Sequence, residues 1–283
     1  MRLFLNYMTA AFLFFSISPA YAEEKSTTIS DNGYDPDSWI VTLKASIGAS
    51  PKWNGSDDFS FVGFPGISLR RPWKPAVWQS PDDNPGFSFI DQSGFSLGAA
   101  FKYRGGRDSK DDRLLLGIHD THWTVEGGLF VHYWAVPEVL RAKMEVRHGV
   151  RSDDGLVADF GVDVVQKYNQ FTFAVGPRLT LANSQFMRYH FGITEADAFH
   201  NGILSSWHPD GGLYSAGVFS SIEYQLDEKW SIGVHGGWER LLADAAKSPI
   251  IKEAGSQDQF SVGATVKYTF DWKWSGLGVF SDN

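Results

Sequence analysis

Hydrophobic and polar residues alternate with a period of two along much of this chain. The clearest stretch is 258–270, where alternate positions carry Phe260, Val262, Ala264, Val266, Tyr268 and Phe270, and the positions between them carry Ser261, Gly263, Thr265, Lys267 and Thr269. Successive side chains of a β-strand point to opposite faces, so this spacing predicts strands rather than helices. Ten segments show the pattern: 39–50, 58–70, 87–103, 121–135, 138–150, 155–168, 170–182, 212–226, 229–243 and 258–270.

The length and number of these segments favour a membrane barrel. Most run for about 11 to 16 residues, which exceeds the usual soluble strand of roughly five or six residues but suits a tilted membrane strand. We therefore predict an all-β fold, a transmembrane antiparallel β-barrel of about ten strands over residues 39–270, because an even number closes such a barrel. Twelve strands are the alternative if residues 71–86 contain two more. A soluble sandwich or lipocalin-like barrel is the rival fold.

The less apolar face of the predicted strands is rich in charges and glycine, which favours a polar lumen. Its basic members are Lys44, Arg70, Lys102, Arg104, Arg141, Lys143, Arg147, Arg178 and Lys267, and its acidic members are Glu126, Glu145, Asp159, Asp163, Glu223 and Glu239. A salt-bridged plug is the simplest interpretation of this set. Because the basic members outnumber the acidic ones by three, any pore is expected to prefer anions weakly.

The connections between segments predict an orientation. The gaps at Val136-Pro137, Asn169 and Asp227-Glu228 are short, whereas those after the third, seventh and ninth segments are longer. Outer-membrane barrels have short periplasmic turns and long outer loops, so the termini are expected in the periplasm. Residues 71–86 contain four prolines and are predicted to form a long periplasmic connection.

The N-terminus and the composition indicate export. Residues 1–22 combine Arg2, an apolar stretch and a closing Ala-Tyr-Ala, which predicts a signal peptide cleaved after Ala22. Losing Arg2 changes the net charge from −8 to −9, which argues against nucleic acid as a partner. The chain has no cysteine, so disulfides, thiolate zinc sites and a lipidated N-terminal thiol are excluded. Outer-membrane lipid is the expected surrounding of the barrel.

Several motifs between 176 and 270 resemble the MltA-interacting protein family of outer-membrane proteins, MipA/OmpV. They are Gly176-Pro177, Asn183-Ser184, the run Tyr189-His190-Phe191-Gly192-Ile193-Thr194, the run from Arg240 through Asp244, Ser248 and Pro249 to Ile251, and the closing Tyr268-Thr269-Phe270. The resemblance implies an outer-membrane barrel. By the member that names the family, it also implies a scaffold that links a murein-lytic transglycosylase to a peptidoglycan synthase, whereas other members resemble adhesins or routes for small molecules.

The two ends of the chain bear on the scaffold hypothesis. The family usually ends at the aromatic residue matching Phe270, which is the expected signal for the barrel-assembly machinery, but thirteen residues follow here. Short periplasmic turns are too small for the roughly 800 Å² per partner of a standard interface. We therefore expect partner binding to depend on the N-terminal segment 23–38, the connection 71–86 or the tail 271–283, whereas an adhesin would depend on the long loop 183–211.

The sequence supports no catalytic, metal or cofactor site. Asp159 and Asp163 lie four residues apart on one strand, roughly 13 Å at about 3.3 Å per residue, which is too far for a coupled pair. Glu126 and Glu145 are better explained as lumen charges. The long loop contains His190, His200 and His208 near Glu195, Asp197 and Asp210, but nothing in their spacing defines a metal site. No Gly-x-Ser-x-Gly nucleophile elbow between a strand and a helix is indicated, and we predict a protein that is not an enzyme.

Overall fold

The computed structural model describes residues 14–16, 38–151 and 154–273. These residues form twelve β-strands in one sheet. The strands are β1 (Phe14–Ser16), β2 (Ser38–Pro51), β3 (Phe59–Arg70), β4 (Gly86–Gln92), β5 (Phe95–Arg104), β6 (Thr124–Val136), β7 (Leu140–Gly149), β8 (Leu156–Tyr168), β9 (Phe171–Ala182), β10 (Gly212–Gln225), β11 (Trp230–Leu241) and β12 (Asp258–Lys273).

The sheet is an up-and-down barrel wall in the order β1-β3-β2-β12-β11-β10-β9-β8-β7-β6-β5-β4. Neighbouring strands are antiparallel, except that β1 pairs parallel with β3 through Phe14 to Gly66 and Ser16 to Ser68. The first long strand, β2, pairs with the last, β12, from Ser38–Lys273 to Ala49–Val262. An all-β antiparallel barrel is therefore confirmed.

The strand count is twelve, the predicted alternative, but the two additional strands are not in residues 71–86. The predicted segment 87–103 is two strands, β4 and β5, joined by a tight turn at Ser93 and Gly94, which have φ angles of 51° and 82°. The alternation of apolar and polar residues continues across this turn, so periodicity alone predicted one long strand instead of two. The other additional strand, β1, lies within the predicted signal peptide, whereas Ala22 and the segment 23–37 lie outside the described residues.

The two faces of the wall differ as the alternation predicted. Outward positions carry exposed apolar side chains, among them Ile47, Leu129, Val175, Val234 and Val262, which suits a lipid-facing surface. Among the described residues, no helix is both long and apolar enough to span a membrane. At one end of the barrel the turns are short, and Ser38, Arg70 and Lys273 lie at this end; the tail after Lys273 lies outside the described residues.

Long connections at the other end fold into a compact cap. The cap contains the 3-10 helix Arg113–Leu115 and the helices α1 (Ser184–Phe191), α2 (Glu195–Asn201), α3 (Ala243–Lys247) and α4 (Pro249–Ala254). The side chain of Asn183 caps α1, and Thr194 and Asp197 form a capping box on α2. Apolar side chains from all these elements form the main buried cluster, which therefore closes the barrel at the long-loop end.

Candidate functional site

The lumen wall formed by β5–β9 carries a network of buried ion pairs. Arg147, whose side chain is fully buried, reaches Glu126 at 3.1 Å, Glu145 at 2.5 Å and Asp159. Glu126 also pairs with Arg104 from β5. Antiparallel register brings these residues to adjacent inward positions, so charges distant in sequence neutralise each other in the lumen.

A second group of ion pairs lies nearer the short-turn end. Asp163 binds Arg141 at 2.7 Å and Arg178 at 2.6 Å, and both Arg141 and Asp163 are almost completely buried. Lys143 and Arg178 pass over Gly161, where an added Cβ would lie only 2.9 Å from Lys143 Cε and 3.1 Å from Arg178 Nη1. The glycine leaves the space that the two cations need. Asp159 and Asp163 thus each pair with arginine, not with one another.

Residues 80–85, which we call the plug, extend into the lumen and correct the prediction of a periplasmic connection. Asp83 accepts hydrogen bonds from Arg141 at 2.6 Å and Lys143 at 2.9 Å. Asp82 binds Arg178 at 2.7 Å. The lumen contains cations that the carboxylates of the strands do not fully neutralise, and the acidic loop supplies partners for them; a buried cation without a partner would be strongly destabilising.

The neighbouring Asn84 completes the attachment of the plug by donating to Glu145 at 2.7 Å. The plug has no hydrophobic periodicity that would predict it, although the excess of three positive charges predicted for the lumen was a usable signal for it. Asp82 and Asp83 reduce that excess, so the anion preference inferred from the strands alone rested on an incomplete set of charges. The preference itself stays a prediction.

The remaining predicted lumen charges are less densely paired. Lys267 binds Glu223 at 2.6 Å on the β10–β12 side, and the Ser215 hydroxyl donates to Glu239. Arg70 donates to the carbonyl of Lys74 at 2.8 Å near the short-turn mouth. The ammonium of Lys102 lies 3.9 Å from Asp159, and Lys44 lines a small recess beside Glu223 and Lys267.

The cap is built mainly from apolar contacts. Phe186, Met187, Phe191, Ile250 and Ile251 are each at most 1% exposed. Arg107 lies among them and donates to the carbonyl of His190 at 2.8 Å and of His119 at 3.1 Å. Burial lowers the pKa of Arg107 to about 10. The cap therefore resembles a small soluble core placed on the end of the barrel.

Most residues of the family motifs belong to this cap. The Ser248 hydroxyl, fully buried, donates to the carbonyl of Phe191 at 2.7 Å and so joins the two longest motifs. Tyr189 accepts at its hydroxyl from the His122 amide at 2.9 Å, and Gly192 ends α1. The other motif residues have these places: Arg240 pairs with Asp258, Asp244 accepts from the Asp210 amide, Pro249 opens α4 and Phe270 lies on β12.

The histidines of the long loop do not converge. Burial lowers the pKa of His190 well below its usual value, whereas His208 lies exposed, 3.7 Å from Glu195. Asp197 binds His119 at 2.8 Å; burial alone would raise its pKa, but hydrogen bonds from His119 and Thr194 lower it. Across residues 38–151 and 154–273, no three His, Asp or Glu side chains are grouped to hold a metal ion.

A cavity of about 360 Å³ lies between the cap and the plug. Trp53 and Tyr214 border it on the cap side, and Asp82 and Asn84 border it on the plug side. We call this cavity the chamber. Charged, amide and aromatic side chains all line it.

Comparisons with known proteins match most of the barrel. A family model described as MltA-interacting protein MipA matches residues 43–270. Omp26La of Vibrio anguillarum and OmpV of Vibrio cholerae serotype O1, both named outer membrane proteins, are 29% and 30% identical over 92 residues, covering 32% of this chain. The match spans about a third, 34%, of each of these curated relatives. The solved outer membrane channel of Pseudomonas putida F1 aligns over 86% of this chain and 100% of its own, with 12% identity and a TM-score of 0.40.

Proposed function

The chain belongs to the MltA-interacting protein MipA family, and we propose that it is a closed outer-membrane barrel that holds a murein-lytic transglycosylase, together with a peptidoglycan synthase, at the periplasmic face. The attachment of the plug carries this proposal. With Asp83 held by Arg141 and Lys143, and with the cap above, the lumen is filled at both ends. A barrel closed in this way acts through the surfaces that it presents rather than through conduction.

The short-turn mouth offers a binding surface beside the plug. Trp73 and Val77 are 50% and 56% exposed, and the guanidinium of Arg71 stacks 3.6 Å from the ring of Trp39. Exposed aromatic and arginine side chains are the residue types enriched at protein interfaces. Residues 71–77 are therefore the part of the proline-rich connection available to a partner, and we propose that 23–37 and the tail supply the remaining contact area.

Capture of a purified transglycosylase by the full chain in liposomes tests this function. We expect the double variant Trp73→Ala, Val77→Ser to weaken capture at least about fivefold, because losing one interface anchor costs about 1–2 kcal/mol. The matched control is Phe199→Ala, Ile203→Ser, which removes two similarly exposed apolar side chains from the cap. Equal capture by both variants and by the unmodified chain would contradict the proposal.

A surface adhesin is the second candidate, favoured by an apolar patch on the cap. Phe199, Ile203 and Leu116 are 85%, 67% and 52% exposed. The Asn201 amide donates to the carbonyls of Leu114 and Leu116, which holds α2 against the 3-10 helix and keeps the patch together. If the protein is an adhesin, the opposite pattern is expected. The variant Phe199→Ala, Ile203→Ser would lose attachment of whole cells to a host surface, and the variant Trp73→Ala, Val77→Ser would retain it.

A further inference from the structure

The charges around the chamber differ in how fully they are neutralised. Lys143 and Arg178 each contact Asp82 of the plug, and Glu145 contacts both Arg147 and Asn84. These groups are occupied by short ion pairs and hydrogen bonds within the protein. They form a fixed polar lining and leave little capacity for a ligand.

Lys102 is the exception among the basic groups of the lining. Its ammonium lies 3.9 Å from Asp159, at the outer limit of an ion pair, and Asp159 already binds Arg147. The Lys102 side chain remains 36% exposed although it points into the lumen. It therefore retains donor capacity toward the chamber.

Glu239 is the exception among the acidic groups. Its contact is the hydroxyl of Ser215, and no basic side chain in the described ranges lies within ion-pair distance of it. A carboxylate has about four lone-pair sites, so most of its acceptor capacity is unused. Glu239 is half-buried and borders the same chamber as Lys102.

The two charges border the same chamber from strands that are far apart in the wall. Lys102 lies on β5 and Glu239 on β11, and six strand-to-strand steps separate these strands in the twelve-stranded order. In a closed wall this places them on opposite sides. The lining also includes Trp53, Asn54 and Phe219.

We propose that the chamber binds a small zwitterion, an amino acid or short peptide, with its ammonium group at Glu239 and its carboxylate at Lys102. The cavity of about 360 Å³ falls in the usual range of ligand sites, about 300–1,000 Å³. A ligand with both charges neutralises both uncompensated groups at once. A cation or an anion alone satisfies one group and leaves the other unpaired. This inference is independent of the docking function.

Three radiolabelled probes distinguish the charges: alanyl-alanine, its N-acetyl derivative, which lacks the ammonium, and its amide, which lacks the carboxylate. The full chain is refolded in detergent with each probe present, so entry does not depend on opening the cap, and retention is measured by equilibrium dialysis. Unmodified protein should retain alanyl-alanine at least about tenfold more tightly than either derivative, since each charged hydrogen-bonding group accounts for at least a factor of ten.

Two variants test which protein side chain binds the ammonium group of the ligand and which binds its carboxylate. Glu239→Gln should abolish discrimination against the N-acetyl derivative alone, and Lys102→Met should abolish discrimination against the amide alone. Glu138→Gln, in an exposed turn pair with Lys167, is the control and should leave retention unchanged. Circular dichroism and the gel mobility of unheated protein verify folding of each variant. Equal retention of all three probes by the unmodified protein, or unchanged discrimination in both lumen variants, would overturn the proposal.

Discussion

The barrel is closed at its two ends by different physical means. The cap is an apolar core in which side chains such as Phe186 and Ile250 are fully buried, whereas the plug is held by ion pairs from Asp82 and Asp83 to lumen cations. Apolar packing is spread over many small contacts, but the plug depends on a few ion pairs, and removing one partner leaves buried cations less fully compensated. The cap is therefore expected to be the permanent closure and the plug the adjustable one.

The largest effect is expected from Phe186→Ala in the cap. The ring packs against Phe191 and Tyr214 and has no exposed surface, so truncation should cost the cap about 3–5 kcal/mol. Amide hydrogen exchange should show loss of protection in α1 and α4 while β5–β9 stay protected. Phe199→Ala, at an exposed position of the same cap, is the control. Loss of protection throughout the wall would mean that cap and barrel fold as one unit.

A smaller effect is expected from Asp83→Asn in the plug. Arg141 and Lys143 would lose a shared carboxylate, at a cost of about 2–3 kcal/mol to the docked plug. We expect hydrogen exchange of residues 80–85 to accelerate in this variant, while the cap keeps its protection. Glu138→Gln should exchange like the unmodified chain. Unchanged protection of residues 80–85 in the Asp83 variant would show that the plug does not depend on its ion pairs.

The smallest effect is a pH dependence confined to the cap. Burial holds the pKa of His190 well below its usual value, so the folded cap keeps this ring neutral. The unfolded cap takes up a proton below about pH 6.5, so cap stability is complete above that pH and falls by up to about 1.4 kcal/mol per pH unit below it. Hydrogen exchange of α1 at pH 7.5 and 5.5 should show this loss. His190→Gln should remove the pH dependence of cap stability, whereas the control His208→Gln, at an exposed position, should leave it unchanged. If the pH dependence persists in His190→Gln, another titratable group causes it.

The wall could be predicted from the sequence because its pattern is local. Residues 258–270 alternate strictly, since each strand contacts lipid on one side and the lumen on the other, and β12 indeed covers this stretch. The turn at Ser93-Gly94 was missed inside segment 87–103, although a Ser-Gly pair is itself a turn signal. Periodicity did not separate the two strands because apolar residues occupy odd-numbered positions in both β4 and β5.

The closures of the two ends could not be predicted from local pattern. Asp83 meets Arg141 across 58 residues of sequence, and proline-rich segment 71–86 has no periodicity that would indicate its position. Helices α2, α3 and α4 are only five to seven residues long, too short for a 3.6-residue period to be recognised. Both features depend on tertiary contacts. The lumen charges, by contrast, were found because they lie on strands.

The pairing of β2 with β12 has a consequence for biogenesis. The hydroxyls of Thr42 and Thr269 lie 2.9 Å apart although 227 residues separate them in sequence. Contacts of such long range form late, because the intervening chain must first lose its conformational freedom. The plug and its partner strands β7–β9 are all synthesised before β12. The acidic loop is thus enclosed when the first and last long strands meet, so its first insertion into the lumen belongs to the assembly of the wall.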